Sequence, residues 1–265
     1  MELRAPDVVL KSFAGPDKAG ADKQGTLVLL PFAGGKADMY KDWHHLFPRL
    51  RVLCVNYRGR FPDGIDDKLL DSCEQVAQEV RQAMEAAVDP SLGPLFIYGH
   101  SFGALIGWMV AGQLQLAGHP LQVRHLFVGG EQWPGRAPSN RYAGQSLAEF
   151  AKQLVSLGLM PDMGQLDETM APVVAATKAE FDLDSLFSLA AMQQPLPKLT
   201  ARITAFYEAE DESFLTVDDV EPWQEMSAHA EFDCIPIYGS HLFCLPEENE
   251  DELVDYILEY MRSEL

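Results

Sequence analysis

A chain of 265 residues, 47% hydrophobic and 23% charged, has the length and balance of one large globular domain with a full core. Its 40 acidic residues against 20 basic ones give a formal charge of −20, which argues against nucleic acid and anionic membrane as partners. There is no basic and apolar leader and no apolar run near the roughly 18 residues of a membrane span, so a cytoplasmic protein is expected.

Asp7 to Phe13 reads as a first edge strand, followed by a Gly-, Lys- and Asp-rich loop. The unbroken apolar run Thr26 to Leu30 then reads as a strand covered on both faces, as in a parallel sheet, and ends at Pro31-Phe32-Ala33-Gly34-Gly35. A helix is expected over 37–47 and a strand over 51–56. From Lys68 to Val88, apolar residues three and four apart predict an amphipathic helix that stops at Asp89-Pro90. Strand 94–98, a bend and an apolar helix follow, then strand 125–130. Strands are also expected over 203–207 and 232–237, a helix near 220–228, and a closing helix over about 248–262 with acidic residues at its start. About seventy residues of helical pattern separate strand 125–130 from strand 203–207, with pieces at 147–157, 166–178 and 183–192. No ordinary crossover is that long, so 135–195 reads as a helical insertion over the sheet. Strands alternating with helices predict one α/β domain over 1–265 with a mostly parallel central sheet flanked by helices. Cys54, Cys73, Cys234 and Cys244 have neither C-x-x-C nor metal-ligand spacing, so free thiols and no metal site are expected.

The bend is Gly99-His100-Ser101-Phe102-Gly103, a G-x-S-x-G pattern between strand and helix. In a nucleophile elbow the serine takes a strained conformation, and Gly99 and Gly103 leave room where a Cβ would collide with a neighbouring element. A serine hydroxyl needs a base and a group that orients the base, and in the α/β-hydrolase fold these follow in the order serine, acid, histidine. His241, on the Gly-Ser-His turn after the last strand, fits the base better than the other six histidines; His100 adjoins the serine, but neighbouring side chains diverge at so sharp a bend. Asp211 is the leading acid. Glu208, Glu210 and Glu212 leave its register open, and Glu131 after the preceding strand is a rival. Backbone N–H groups of Phe102 and Ala33 suit an oxyanion hole. Ala33-Gly34-Gly35-Lys36 lacks the phosphate-loop pattern.

Taken together, Leu29 to Gly35, Arg58-Gly59-Arg60, the Gly99 to Gly103 elbow, Gly129-Gly130 with Pro134, Asp211, Trp223 and Gly239-Ser240-His241-Leu242-Phe243 resemble the type II thioesterases of polyketide and nonribosomal peptide synthesis. The resemblance implies a cofactor-free serine hydrolase that cleaves acyl thioesters from the phosphopantetheine arm of acyl or peptidyl carrier proteins, in editing or product release. It implies Ser101 as nucleophile, His241 as base, Asp211 as acid, Ala33 and Phe102 at the oxyanion hole, and a mobile lid at 135–195. Arg58 stands where the family pattern usually has proline, and Ser240 and Leu242 replace a more usual Gly and Phe. An acidic carrier would be repelled at long range by a −20 protein, so Lys36, Lys41, Arg58, Arg60, Arg136 and Arg141 are candidates for a local docking patch. A general carboxylester hydrolase or acyltransferase with the same triad, or a non-catalytic binding protein on the same fold, are the other classes.

Overall fold

The described residues hold one seven-stranded sheet which, with the strands numbered along the chain, has the order β1-β3-β2-β4-β5-β6-β7. The computed structural model describes residues 8–13, 23–58, 72–135, 142, 144–156, 158–162, 164, 166–191, 196–209, 215–245 and 249–265. The strands are β1 (Val9–Lys11), β2 (Thr26–Leu30), β3 (Arg51–Asn56), β4 (Leu95–His100), β5 (Val123–Gly129), β6 (Arg202–Glu208) and β7 (Phe232–Ile237). Short β1 lies antiparallel on β3 at one edge, and β2 to β7 run parallel to their neighbours.

Period-two alternation sends successive side chains to opposite faces. Val28, Leu30, Ile97, Leu126 and Val128 face one core, under α2 (Cys73–Ala87) and α3 (Phe102–Leu116). Leu27, Leu29, Phe96, Tyr98 and Phe127 face the other, against Trp43, Phe47 and α7 (Glu250–Met261). Helix α7 buries Leu253, Val254, Ile257 and Met261, each worth about 1.5–3 kcal/mol of transfer free energy. Ser72 caps α2 by accepting from the Gln75 N–H, which fixes the start of that helix; 68–71, where the sequence reading began it, lie outside the described residues.

Several expectations shift. In place of one helix over 37–47 there is a 3-10 turn at Ala37–Tyr40 and a short α1 (Trp43–Leu46). The buried residues Ala37, Tyr40 and Trp43 are spaced by three, which suits the eclipsed side chains of a 3-10 turn. The helix expected near 220–228 is instead the single turn α6 (Val217–Val220) followed by a 3-10 stretch, Glu221–Met226. Between β5 and β6 lie α4 (Leu147–Ser156) and α5 (Ala171–Ala191), and α5 joins two pieces that the sequence reading separated. The i,i+4 pair Lys178–Asp182 bridges the supposed gap. Tyr142, Phe150, Ala151, Leu154 and Val174 form a small core of their own, and α5 is tied to the main core through Leu183 and through Phe187 against Trp108. All four cysteines are free. No helix among the described residues is long and apolar enough to cross a membrane.

Candidate active site

The C-terminal ends of β2, β4, β5 and β6 point the same way, and the residues just beyond them converge. Ser101 links β4 to α3 with φ 51° and ψ −126°, and it is the one non-glycine residue with positive φ among those described. That geometry is held by hydrogen bonds on both sides: the Ser101 N–H donates to Gly129 O at 2.7 Å, and the Ala104 N–H donates to Ser101 O at 2.7 Å. The flanking glycines permit it sterically. A Cβ on Gly99 would lie 2.3 Å from Gly103 O, and one on Gly103 would lie 2.2 Å from Leu30 O. Phe102 begins α3, so its N–H belongs to the first turn, where backbone donors have no partner within the helix.

Ala33 stands across the site on the loop after β2, where the Gly35 N–H closes a tight turn onto Phe32 O at 2.8 Å. Ala33, Ser101, Phe102, Gly130, Glu131 and Gln132 line one wall of a cavity of about 100 Å³. Tyr142, Leu215 and residues of α5 line the rest.

His241 is 4% exposed on the turn after β7, and its Nδ1 lies 3.2 Å from Glu208 Oε1. Glu208 ends β6 and is 1% exposed; its Oε2 is buried with no hydrogen-bond partner among the described residues. The imidazole therefore meets a carboxylate within hydrogen-bond reach of the nitrogen that a serine hydrolase's acid would hold. Asp211 lies outside the described residues. Glu131 is placed at the serine: it lines the same cavity as Ser101, whose side chain bears on its protonation. Burial, then the neighbouring Asp184, pushes the Glu131 carboxyl well above the usual range, against the opposing effect of hydrogen bonds from Gln132 and Ser101.

Two supports escaped sequence reasoning. His100 is fully buried, with Nε2 2.7 Å from His241 O and Nδ1 2.8 Å from the Tyr98 hydroxyl. Burial and His241 hold its pKa well below the ordinary histidine range, so the ring is neutral. With Nε2 as donor to the carbonyl, it props the backbone of the His241 turn. The side chain does point away from the nucleophile, as expected, but toward the base. Gly130 makes room for both imidazoles, since a Cβ there would approach each ring to 3.1 Å. The second support is Trp223, whose Nε1–H donates to Glu131 O at 2.9 Å and anchors the strand end carrying that carboxyl group. In the sequence Trp223 stands among the residues that carry the family resemblance, which says nothing of its hydrogen-bond partner. Of the proposed basic patch, Arg58 is engaged with Glu79 at 2.5 Å, Lys36 is half-buried and Lys41 exposed. Arg60, Arg136 and Arg141 lie outside the described residues.

Residues 25–260 match the family described as the thioesterase domain. The chain is 26% identical over 240 residues to the gramicidin S biosynthesis protein GrsT of Aneurinibacillus migulanus, covering 89% of this chain and 88% of that one. It is 27% identical over 234 residues to the thioesterase TesA of Mycobacterium marinum, covering 88% and 89%. Among solved structures, RedJ, a thioesterase from the prodiginine biosynthetic pathway in Streptomyces coelicolor, superposes with a TM-score of 0.76 at 25% identity, covering 97% and 95%.

Proposed function

The chain belongs to the thioesterase-domain family, hydrolases of thioesters with the α/β-hydrolase fold, and we propose that it is a type II thioesterase that releases acyl groups from the phosphopantetheine arm of carrier proteins in polyketide or nonribosomal peptide synthesis. The observation that carries the mechanism is the strained Ser101 at the cavity wall, together with a His241 held at Nδ1 by a buried carboxylate.

In this reading His241 takes the Ser101 proton while Oγ attacks the thioester carbonyl. The N–H groups of Ala33 and Phe102 hold the oxyanion. As the tetrahedral intermediate collapses, the carbon–sulfur bond breaks and the imidazolium returns its proton to the departing thiolate. Water then attacks the acyl-serine, giving its proton to His241, and the ester oxygen of Ser101 leaves with that proton. Two carboxylates are assigned to the imidazole: Asp211, which the motif order implies as the acid, and Glu208, the one against Nδ1. Residues 135–195, with α4 and α5, act as a lid over this chemistry within the single domain. The carrier docks near the mouth, with the exposed Lys41 as a candidate cation.

The test is mass spectrometry of acyl carrier proteins with different acyl groups, before and after incubation with the enzyme. Loss of the acyl mass, with holo-carrier left behind, is expected for wild type and not for Ser101→Ala. Fast hydrolysis of simple aryl esters with no action on any acyl carrier would instead favour a general carboxylester hydrolase.

A further inference from the structure

One face of α5 rests directly on the loop that carries Ala33. Thr177, Glu180 and Asp184 are three and four residues apart, so they share that face. Thr177 fits against Gly34 so closely that a Cβ on that glycine, whose φ is +82°, would lie 2.5 Å from Thr177 Oγ1. Glu180 is 2% exposed and its Oε2 accepts from the Gly34 N–H at 2.8 Å, across 146 residues of chain. Asp184 lies beyond, at the cavity wall with Phe181 and Ser185. The bond to Gly34 is therefore a carboxylate-to-amide link between α5 and the residue next to Ala33, and hydrogen bonds to charged groups are among the stronger ones.

With α5 in this place, the space beside Ser101 is about 100 Å³. Sites that take a drug-sized ligand are typically about 300–1,000 Å³. A space of that size takes a few heavy atoms of an acyl group; the rest of a long chain must lie outside it or displace the helix. For a larger acyl group to gain that space, α5 must move from the loop, and the bond at Gly34 is the polar link that opens, alongside the packing of Leu183 and of Phe187 on Trp108.

We propose that Glu180 is a specificity-determining gate residue: its bond to the Gly34 N–H holds α5 over Ser101, so that short acyl groups react with the helix in place and long ones react only after that bond opens. The inference rests on Ser101 as the nucleophile. It differs from a purely structural role for Glu180 because it predicts a change in discrimination between acyl sizes and not a uniform loss of activity.

The test compares Ser101 modification by two fluorophosphonates, one with an ethyl and one with a dodecyl chain, followed by intact-protein mass spectrometry. In Glu180→Ala the dodecyl-to-ethyl rate ratio is expected to rise about tenfold, the scale of one lost charge-assisted hydrogen bond, and the Gly34 amide is expected to lose protection from hydrogen exchange. Glu180→Gln, which keeps an acceptor without the charge, should fall between the two; it also carries the test if the alanine variant melts too low to assay. An unchanged ratio with Gly34 protection lost, or an equal slowing of both reagents, overturns the gate. Absence of labelling by either reagent in the wild type overturns the nucleophile reading, and the gate with it.

Discussion

The backbone of Ser101 should cost stability, and two substitutions measure how much. At φ 51° and ψ −126° the residue occupies a region that L side chains avoid, a strain of about 1–3 kcal/mol. Ser101→Gly removes the Cβ and with it the strain, while the freer glycine backbone raises the entropy of the unfolded chain, a cost of about 0.5–1 kcal/mol. Ser101→Ala keeps the Cβ and the strain. Both variants lose the hydroxyl, so that loss cancels in the comparison. The glycine variant should be the more stable of the two by about 1 kcal/mol, or about 2–4 °C in Tm for a chain of this size. Thermal melts and urea unfolding of the two inactive variants side by side would show it. A Ser101→Ala protein that melts at or above Ser101→Gly would refute the claim that the elbow stores backbone strain.

Three more outcomes follow from the geometry. Gly103→Ala places a Cβ against two backbone oxygens, Leu30 O at 2.2 Å and Pro31 O at 2.6 Å, so neither can rotate away. It should destabilise by about 3 kcal/mol or more and reduce kcat by shifting the loop that carries Ala33; chemical denaturation with steady-state rates checks both. Burial pushes the Asp184 carboxyl up to about 7, and Glu131 moves the same way. Their protonated forms favour the folded state, a contribution complete below the unfolded carboxylate pKa and lost as pH rises through about 7, worth at most about 4 kcal/mol for Asp184. Asp184→Asn should flatten the decline in Tm between pH 5 and pH 8; an identical slope in both proteins would remove the buried carboxyl as its cause. Glu208→Gln and Asp211→Asn should each lower kcat, with the larger loss, approaching 10⁴-fold, marking the carboxylate that holds Nδ1–H during turnover. Full activity in both would rule out a carboxylate–imidazole pair.

What the sequence made legible is what local patterns encode. The continuous apolar runs of β2, β4 and β5 announced buried parallel strands, because both faces of such strands are covered. Ser101 and its two glycines were readable because the elbow is contiguous and its sterics are local. The contact of Glu208 with His241 was less so, since four carboxylates crowd 208–212 and their types alone do not say which falls at the end of β6 beside β7. The support from His100 was hidden for a related reason: it joins residues 141 positions apart through a backbone carbonyl, which leaves no mark on residue type. Helix α5 was divided in two because its apolar pattern changes partner along its length, from the small core around Val174 to the main core at Leu183. A periodicity reading takes such a change for a break.

The covalent intermediate is the most direct measurement of the whole mechanism. A short acyl-pantetheine thioester is mixed with the enzyme, quenched in acid within the first turnovers, digested and mapped by mass spectrometry. A Ser101 nucleophile predicts the acyl mass on the peptide that contains Ser101, and on none in Ser101→Ala. Thioester hydrolysis by Ser101→Ala at a rate near wild type, or an acyl mass on another residue, would contradict it.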